Sequence, residues 1–313
     1  MSLHIGYLLP TREAVMEGRP QAGPLIKLAE RAEQLGYDSV WVGDSLLARP
    51  RHEPLTLLAA VSGRTRRVRL GTAVLLPMLR NPVLLAHQVA TLDQVSEGRL
   101  ILGIGIASDV PNVRAEFRSA GVPFDKRVGT LMEGLRLCKA LWSGNPVDWD
   151  GRWHVEQGVL GPTPHQPGGP PIWGGGSAPA ALARAGRHFD GWFPNGPDAQ
   201  RWGEQWRQVQ DIAREAGRNP DAIAPATYLT LAVDENAADA ERRMGEFMSA
   251  YYGKRPDMDK KRDGCFAGSA SAAAEWLHGY VEQGARNFVL RFAGEHERHQ
   301  AVFARVRESL NRV

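Results

Sequence analysis

The sequence predicts an α/β fold, a (β/α)8 TIM barrel with insertions. Three observations lead there. Eight short apolar runs punctuate the chain, segments with helical spacing separate them, and a glycine marks the step from helix to strand at Gly36, Gly98, Gly186 and Gly284. Glycine just past a helix adopts the left-handed conformation without a Cβ clash. A short apolar run after it suits a strand buried on both faces. A doubly wound open sheet shares this alternation and is the competing architecture.

The elements follow in order. Leu3 to Leu9 is the first strand, and Leu25, Leu28, Ala29, Ala32 and Leu35 mark the first long helix. Val40-Trp41-Val42 forms the second strand, and Pro54 opens the next helix. Val68 to Leu76 is the third strand. Asn81-Pro82 starts the helix carrying Leu85, Val89 and Leu92, with proline at its tolerated first position. Leu100-Ile101-Leu102 is the fourth strand, followed by a helix with Val128, Leu131, Leu135, Cys138 and Leu141 on one face. Pro171 to Gly175, Phe189 to Trp192, Ile223 to Val233 and Phe288 to Leu290 complete the eight. Asp198 and Asp234 are expected N-caps, and Val302, Val306 and Leu310 mark the last helix. Residues 1–313 are expected to form a single domain, with long connections at 144–170 and 252–268.

Composition excludes several classes. The 313 residues are 43% hydrophobic and 23% charged, ordinary globular usage. No apolar run approaches the roughly 20 residues of a membrane span, and Met1 to Ile5 lacks the basic and apolar regions of a secretory signal. Cys138 and Cys265 are too few for a disulfide framework, so a reduced, cytoplasmic setting is expected. The net charge of +3 is spread, with short basic runs only at Arg64 to Arg69 and Lys254 to Arg262, which argues against nucleic acid.

Local motifs point to an anion and to proton chemistry. Gly174-Gly175-Gly176-Ser177 ends a strand just before a helix near Ala178. Glycine lets backbone N–H groups approach a phosphate, and the helix start and serine hydroxyl add to the attraction. The competing reading is a glycine turn with a serine cap. Asp44 ends the second strand, with His52 and Glu53 close behind; these three are the candidates for moving protons. Glu53 could equally serve as a charge at a helix start. Gly103-Ile104-Gly105 begins like a dinucleotide fingerprint, but Ser108 occupies the third-glycine position. His296 and His299, flanked by Glu295 and Glu297, are read as a solvated first turn and not as a metal site.

These motifs, taken in sequence, resemble the bacterial luciferase-like superfamily of flavin- or F420-dependent oxidoreductases. The resemblance spans nearly the whole chain and rests on Gly36-Tyr37-Asp38-Ser39-Val40-Trp41, Asp44, Arg69-Leu70-Gly71-Thr72-Ala73-Val74, Arg80-Asn81-Pro82 and Ser96-Glu97-Gly98-Arg99-Leu100. Further on it includes Arg127, Gly151-Arg152-Trp153, Pro162-x-Pro164-x-Gln166 and Gly175-Gly176-Ser177 with Asp190-Gly191-Trp192.

The resemblance implies a luciferase-like barrel holding FMN or coenzyme F420 at its C-terminal mouth. Thr72, Ala73 and Val74 match a bulge behind the ring, often with a non-proline cis peptide. Asn81 and Gly105 match pocket positions, Gly175, Gly176 and Ser177 the phosphate turn, and Arg127 a phosphate partner. A small organic substrate, a separate flavin or F420 reductase, and a homodimer are also implied. Two departures bear on the chemistry. Ser45 stands where many members have histidine, which leaves the acid–base assignment open. Ile106 and Ala107 follow Gly105 where some flavin monooxygenases carry arginine, which brings F420 forward as an alternative to FMN. A cofactor-binding protein without turnover is the other class these features allow, and a two-carboxylate barrel hydrolase is disfavoured.

Overall fold

A computed structural model describes residues 3–253 and 262–310. Its strands are β1 His4–Leu8, β2 Ser39–Val42, β3 Arg69–Thr72, β4 Leu100–Ile104, β5 Val147–Asp150, β6 His154–Gly158, β7 Ile172–Gly174, β8 Gly191–Trp192, β9 Ala224–Val233, β10 Cys265–Gly268 and β11 Asn287–Phe292. All but β5 and β6 belong to one sheet that closes on itself, with β10 added beside β9. This is the (β/α)8 barrel with insertions, and all eight expected strands are present. The chain divides into two compact units, residues 1–10, 27–41 and 173–313 in the first and 11–26 and 42–172 in the second.

In the first unit, parallel pairings run β2–β1–β11–β9–β8–β7. A Cβ on Gly6 would sit 2.5 Å from the Trp41 indole nitrogen, so only glycine lets this ring lie across β1. Trp192 packs on Trp202 and Trp206, and Phe292 on Phe303, joining the strands to helices Ala199–Glu215 and His296–Leu310. Asp198 caps the first of these helices by accepting the Arg201 amide, as expected. Gly36, Gly98 and Gly284 hold the expected positive φ, at 82°, 75° and 104°.

Three expectations are corrected here. Gly186 lies inside helix Pro179–His188 and caps nothing; a Cβ there would come within 2.8 Å of Ile212 Cγ2 and the Val209 carbonyl, so it serves close helix packing. The cap of helix Ala237–Tyr252 is Asn236, which accepts the Ala238 amide, while Asp234 pairs with Arg243 and Arg298. His299 is fully buried, not solvated. Its Nε2 accepts the Val233 amide at 2.9 Å and its Nδ1 donates to the Glu295 carbonyl. Among the described residues no cluster of His, Cys, Asp and Glu could hold a metal ion.

In the second unit, β3 and β4 pair in parallel, and helix Pro82–Val95 packs with helix Arg127–Leu141 through Cys138 and Trp142, which donate to the carbonyls of Pro82 and Ala86. The connection 144–170 is no plain loop: β5 and β6 form an antiparallel hairpin. Arg152 in its turn pairs with Glu133, and Gln166 bonds the buried carboxylate of Asp93 through both its amide groups and the Leu100 carbonyl. The connection 252–268 supplies β10, while residues 254–261, most of the basic run Lys254 to Arg262, lie outside the described residues. No described helix is long and apolar enough to cross a membrane.

Burial lowers the His299 pKa from its ordinary 6.5. The unfolded chain therefore binds a proton more readily than the native one, and the neutral ring's contribution is full above pH 6.5 and declines as pH falls toward the native pKa. His299→Leu strands the Val233 amide and is expected to cost about 1–3 kcal/mol at pH 7.5. It should also remove part of the loss in stability between pH 7.5 and 5.5, measured by urea unfolding at both values.

Candidate active site

In the second unit Asp44, Glu53 and Arg80 form one ion-paired cluster. The Asp44 side chain is only 2% exposed. It accepts the Leu76 amide at 2.9 Å and both terminal nitrogens of Arg80, at 2.6 and 3.1 Å. Arg80 also reaches Glu53 at 3.0 Å. Burial alone would lower the Arg80 pKa, but its bonds to the two carboxylates raise it on balance. Glu53 caps helix Pro54–Ser62 by accepting the Thr56 amide at 2.7 Å. Burial pushes its pKa up, but that amide and Arg80 pull it below the ordinary value, so it stays ionised. His52 points elsewhere: its Nε2 meets the Pro20 carbonyl at 2.7 Å, and its buried Nδ1 has no hydrogen-bond partner.

Beside this cluster, β3 ends in a cis peptide between Ala73 and Val74. Ala73 donates to Val42, Leu75 to Gly103, and the Thr72 hydroxyl to Gly103 at 2.8 Å. Gly105 faces the Val74 side chain, where a Cβ would sit 2.6 Å from Cγ2. Asn81 is the cap of helix Pro82–Val95, accepting the Val83 amide. Arg127 donates to the Ile106 carbonyl at 2.9 Å and the Phe124 carbonyl at 3.0 Å, with its guanidinium 3.8 Å over the Phe124 ring. It is thus fixed just beyond β4. Ser45, at the position often held by histidine, donates to the buried Glu116, which also accepts the amides of Leu47 and Ala48.

In the first unit, Gly175-Gly176-Ser177 links β7 to helix Pro179–His188. Gly176 has φ 103°, a conformation that suits glycine. The Gly176 carbonyl accepts the Trp192 indole at 3.0 Å, and the Ser177 carbonyl accepts the Gln205 side chain at 3.1 Å. In a trans peptide the next residue's N–H points opposite to the carbonyl. The amides of Ser177 and Ala178 are therefore turned away from the packed side, and neither has a partner among the described residues. Ala178 is the helix N-cap and no side chain caps it, so Ser177 is not the cap.

Of the residues singled out in the sequence, Asp44 and Glu53 meet on Arg80, whose role as their shared cation the motifs did not announce; nor did they announce the bonds made by Glu116, Trp192 and Gln205. Arg80 stands in the Arg80-Asn81-Pro82 motif and Trp192 in Asp190-Gly191-Trp192, whereas Glu116 and Gln205 carry no local signal. Arg80→Met leaves the Asp44 carboxylate buried without its cation. It is expected to cost about 3–5 kcal/mol in urea unfolding. A change below about 1 kcal/mol would mean that the pair does not anchor these strand ends.

The model for luciferase-like monooxygenases matches residues 3–310. A 5,10-methylenetetrahydromethanopterin reductase of Methanolobus tindarius is 30% identical over 244 residues, 77% of this chain and 72% of that protein. An F420-dependent glucose-6-phosphate dehydrogenase of Nocardia farcinica is 32% identical over 225 residues, covering 68% of this chain and 66% of the relative. Among solved structures, an F420-dependent secondary alcohol dehydrogenase in complex with an F420–acetone adduct has a TM-score of 0.84 over 99% of both chains, at 21% identity, a likeness of fold. The order of motifs, the barrel and the match along almost the full length agree: the chain belongs to the luciferase-like monooxygenase family.

Proposed function

We propose that the protein is an oxidoreductase that uses coenzyme F420 or reduced FMN to reduce or oxidise a small organic substrate, with residues 1–313 serving as one luciferase-like barrel domain. The observation that carries this reading is the turn after β7. Two amides face outward at an uncapped helix start, beside the Ser177 hydroxyl, and Trp192 and Gln205 hold their carbonyls back. Such an arrangement suits a phosphate. The name of the Nocardia farcinica relative above and the residues Ile106 and Ala107 after Gly105 favour F420 over FMN.

The bound cofactor would supply hydride transfer or, in the flavin case, reaction with oxygen. The protein's part is to bind, orient and shield. Gly175, Gly176 and Ser177 are assigned to phosphate, and Arg127 to an anionic group of the cofactor, its guanidinium preset by two carbonyls. Thr72, Ala73, Val74, Asn81 and Gly105 keep the pocket role that the family resemblance gives them. Of the three proton-handling candidates, Asp44 and Glu53 are committed to Arg80. His52 is the candidate not committed to Arg80, its Nε2 held by the Pro20 carbonyl. His52 is therefore the base in this reading.

Anaerobic titration with F420 and with reduced FMN tests the binding. One of the two should bind, and Ser177→Ala combined with Arg127→Ala should weaken it by about 10-fold or more, the loss of charge-assisted bonds. Failure of both cofactors to bind would refute the enzyme reading, and unchanged affinity in the variant would refute the phosphate assignment. Once a substrate is found, His52→Ala should lower kcat about 100-fold or more with cofactor affinity intact. Full turnover in that variant would pass the role to Asp44.

A further inference from the structure

Arg291 is the second-last residue of β11 and is 3% exposed. A guanidinium stays charged at any pH a protein meets, and burial normally demands a carboxylate beside it. Among the described residues Arg291 makes no ion pair. Its partners are neutral: Nε and Nη2 donate to the Thr230 hydroxyl at 3.0 and 2.7 Å, and Nη1 donates to the Tyr252 hydroxyl at 2.8 Å. The rings of Tyr228, Phe247, Tyr251 and Tyr252 surround it, with their centroids 4.6–5.4 Å from the guanidinium carbon. Cation–π attraction offsets part of the cost of burial but brings no counter-charge.

The position of this cation suggests its use. Phe292 faces helix His296–Leu310, so by strand alternation Arg291 faces the other side of the sheet. On that side Tyr228 stacks on Phe193, and Phe193 packs on Trp41 and Trp173. An aromatic wall thus leads to a single buried positive charge near the C-terminal ends of β9 and β11, the end of a barrel where substrates bind. Five N–H groups belong to a guanidinium, and Thr230 and Tyr252 take three. The two that remain sit one on each terminal nitrogen.

We propose that Arg291 is the substrate-recognition residue of this barrel and that the substrate is an apolar or aromatic carboxylate, its body against the aromatic wall and its carboxylate on the guanidinium. This rests on the oxidoreductase reading for the reaction but not for the binding. Isothermal titration with benzoate and with benzamide, which share a shape and differ in charge, tests it on the wild type, Arg291→Met and Arg291→Lys. Benzoate should bind the wild type at least 10-fold more tightly than benzamide. Arg291→Met should abolish that preference while keeping F420 or FMN affinity, and Arg291→Lys should retain only part of it. Equal binding of the two probes, binding of neither, or a benzoate preference that survives in Arg291→Met would overturn the proposal. Should Arg291→Met not fold, an unchanged preference in Arg291→Lys would overturn it as well, because lysine keeps the charge and loses the fork. Loss of cofactor binding in the wild type would refute the oxidoreductase reading and leave the benzoate result standing.

Discussion

A carboxylate taken out of water must be met by donors, and much of this molecule is arranged around that constraint. In the second unit Asp44 is met by Arg80 and the Leu76 amide, Asp93 by Gln166, Glu116 by Ser45 and two amides, and Glu133 by Arg152. Each of these bonds ties a connecting segment to the strand or helix beside it. Asp93 and Glu133 hold the long connection after helix Arg127–Leu141, and Asp44 and Glu116 hold the loop after β2. Loops of a barrel carry its chemistry but lack the ladder bonds that fix strands. Buried carboxylates supply the missing order here.

The same constraint underlies the two proposed ligand sites. At the turn after β7 the roles are reversed: the carbonyls are satisfied by Trp192 and Gln205, and the amides of Ser177 and Ala178 are left facing outward. A helix start with no capping side chain follows directly. Arg291 is the converse of Asp44, a buried charge whose partners among the described residues are all neutral. The first arrangement suits a phosphate and the second a carboxylate, and the two define complementary parts of one proposed reaction: a cofactor anchored by its phosphate and a substrate recognised by its charge.

Local physics was legible in the sequence, and long-range pairing was not. All eight barrel strands could be read because each is a short apolar run bounded by glycine or proline, and Gly36, Gly98 and Gly284 were readable as left-handed caps. Gly186 looked the same in sequence, yet its reason is the approach of helix Ala199–Glu215, which no neighbouring residue announces. The hairpin of β5 and β6 was hidden because both strands are short and β6 is largely exposed and polar, even though Val147-Asp148-Trp149-Asp150 alternates. His299 was misjudged for a similar reason: its partners are Val233, far away in sequence, and a ring on β11. Among the candidate site residues, order and spacing singled out Asp44, Glu53, Asn81 and Arg127. That Arg80 joins Asp44 to Glu53 is a long-range pairing that no local motif announces.

The central claim is that the turn after β7 is built for a phosphate. The most direct measurement compares the dissociation constants of two ligands that differ only in that group: FMN with riboflavin, or F420 with its phosphate-free chromophore. The account predicts that the phosphorylated form binds at least about 10-fold more tightly, one charge-assisted interaction's worth or more. Equal affinity for the two forms would contradict it.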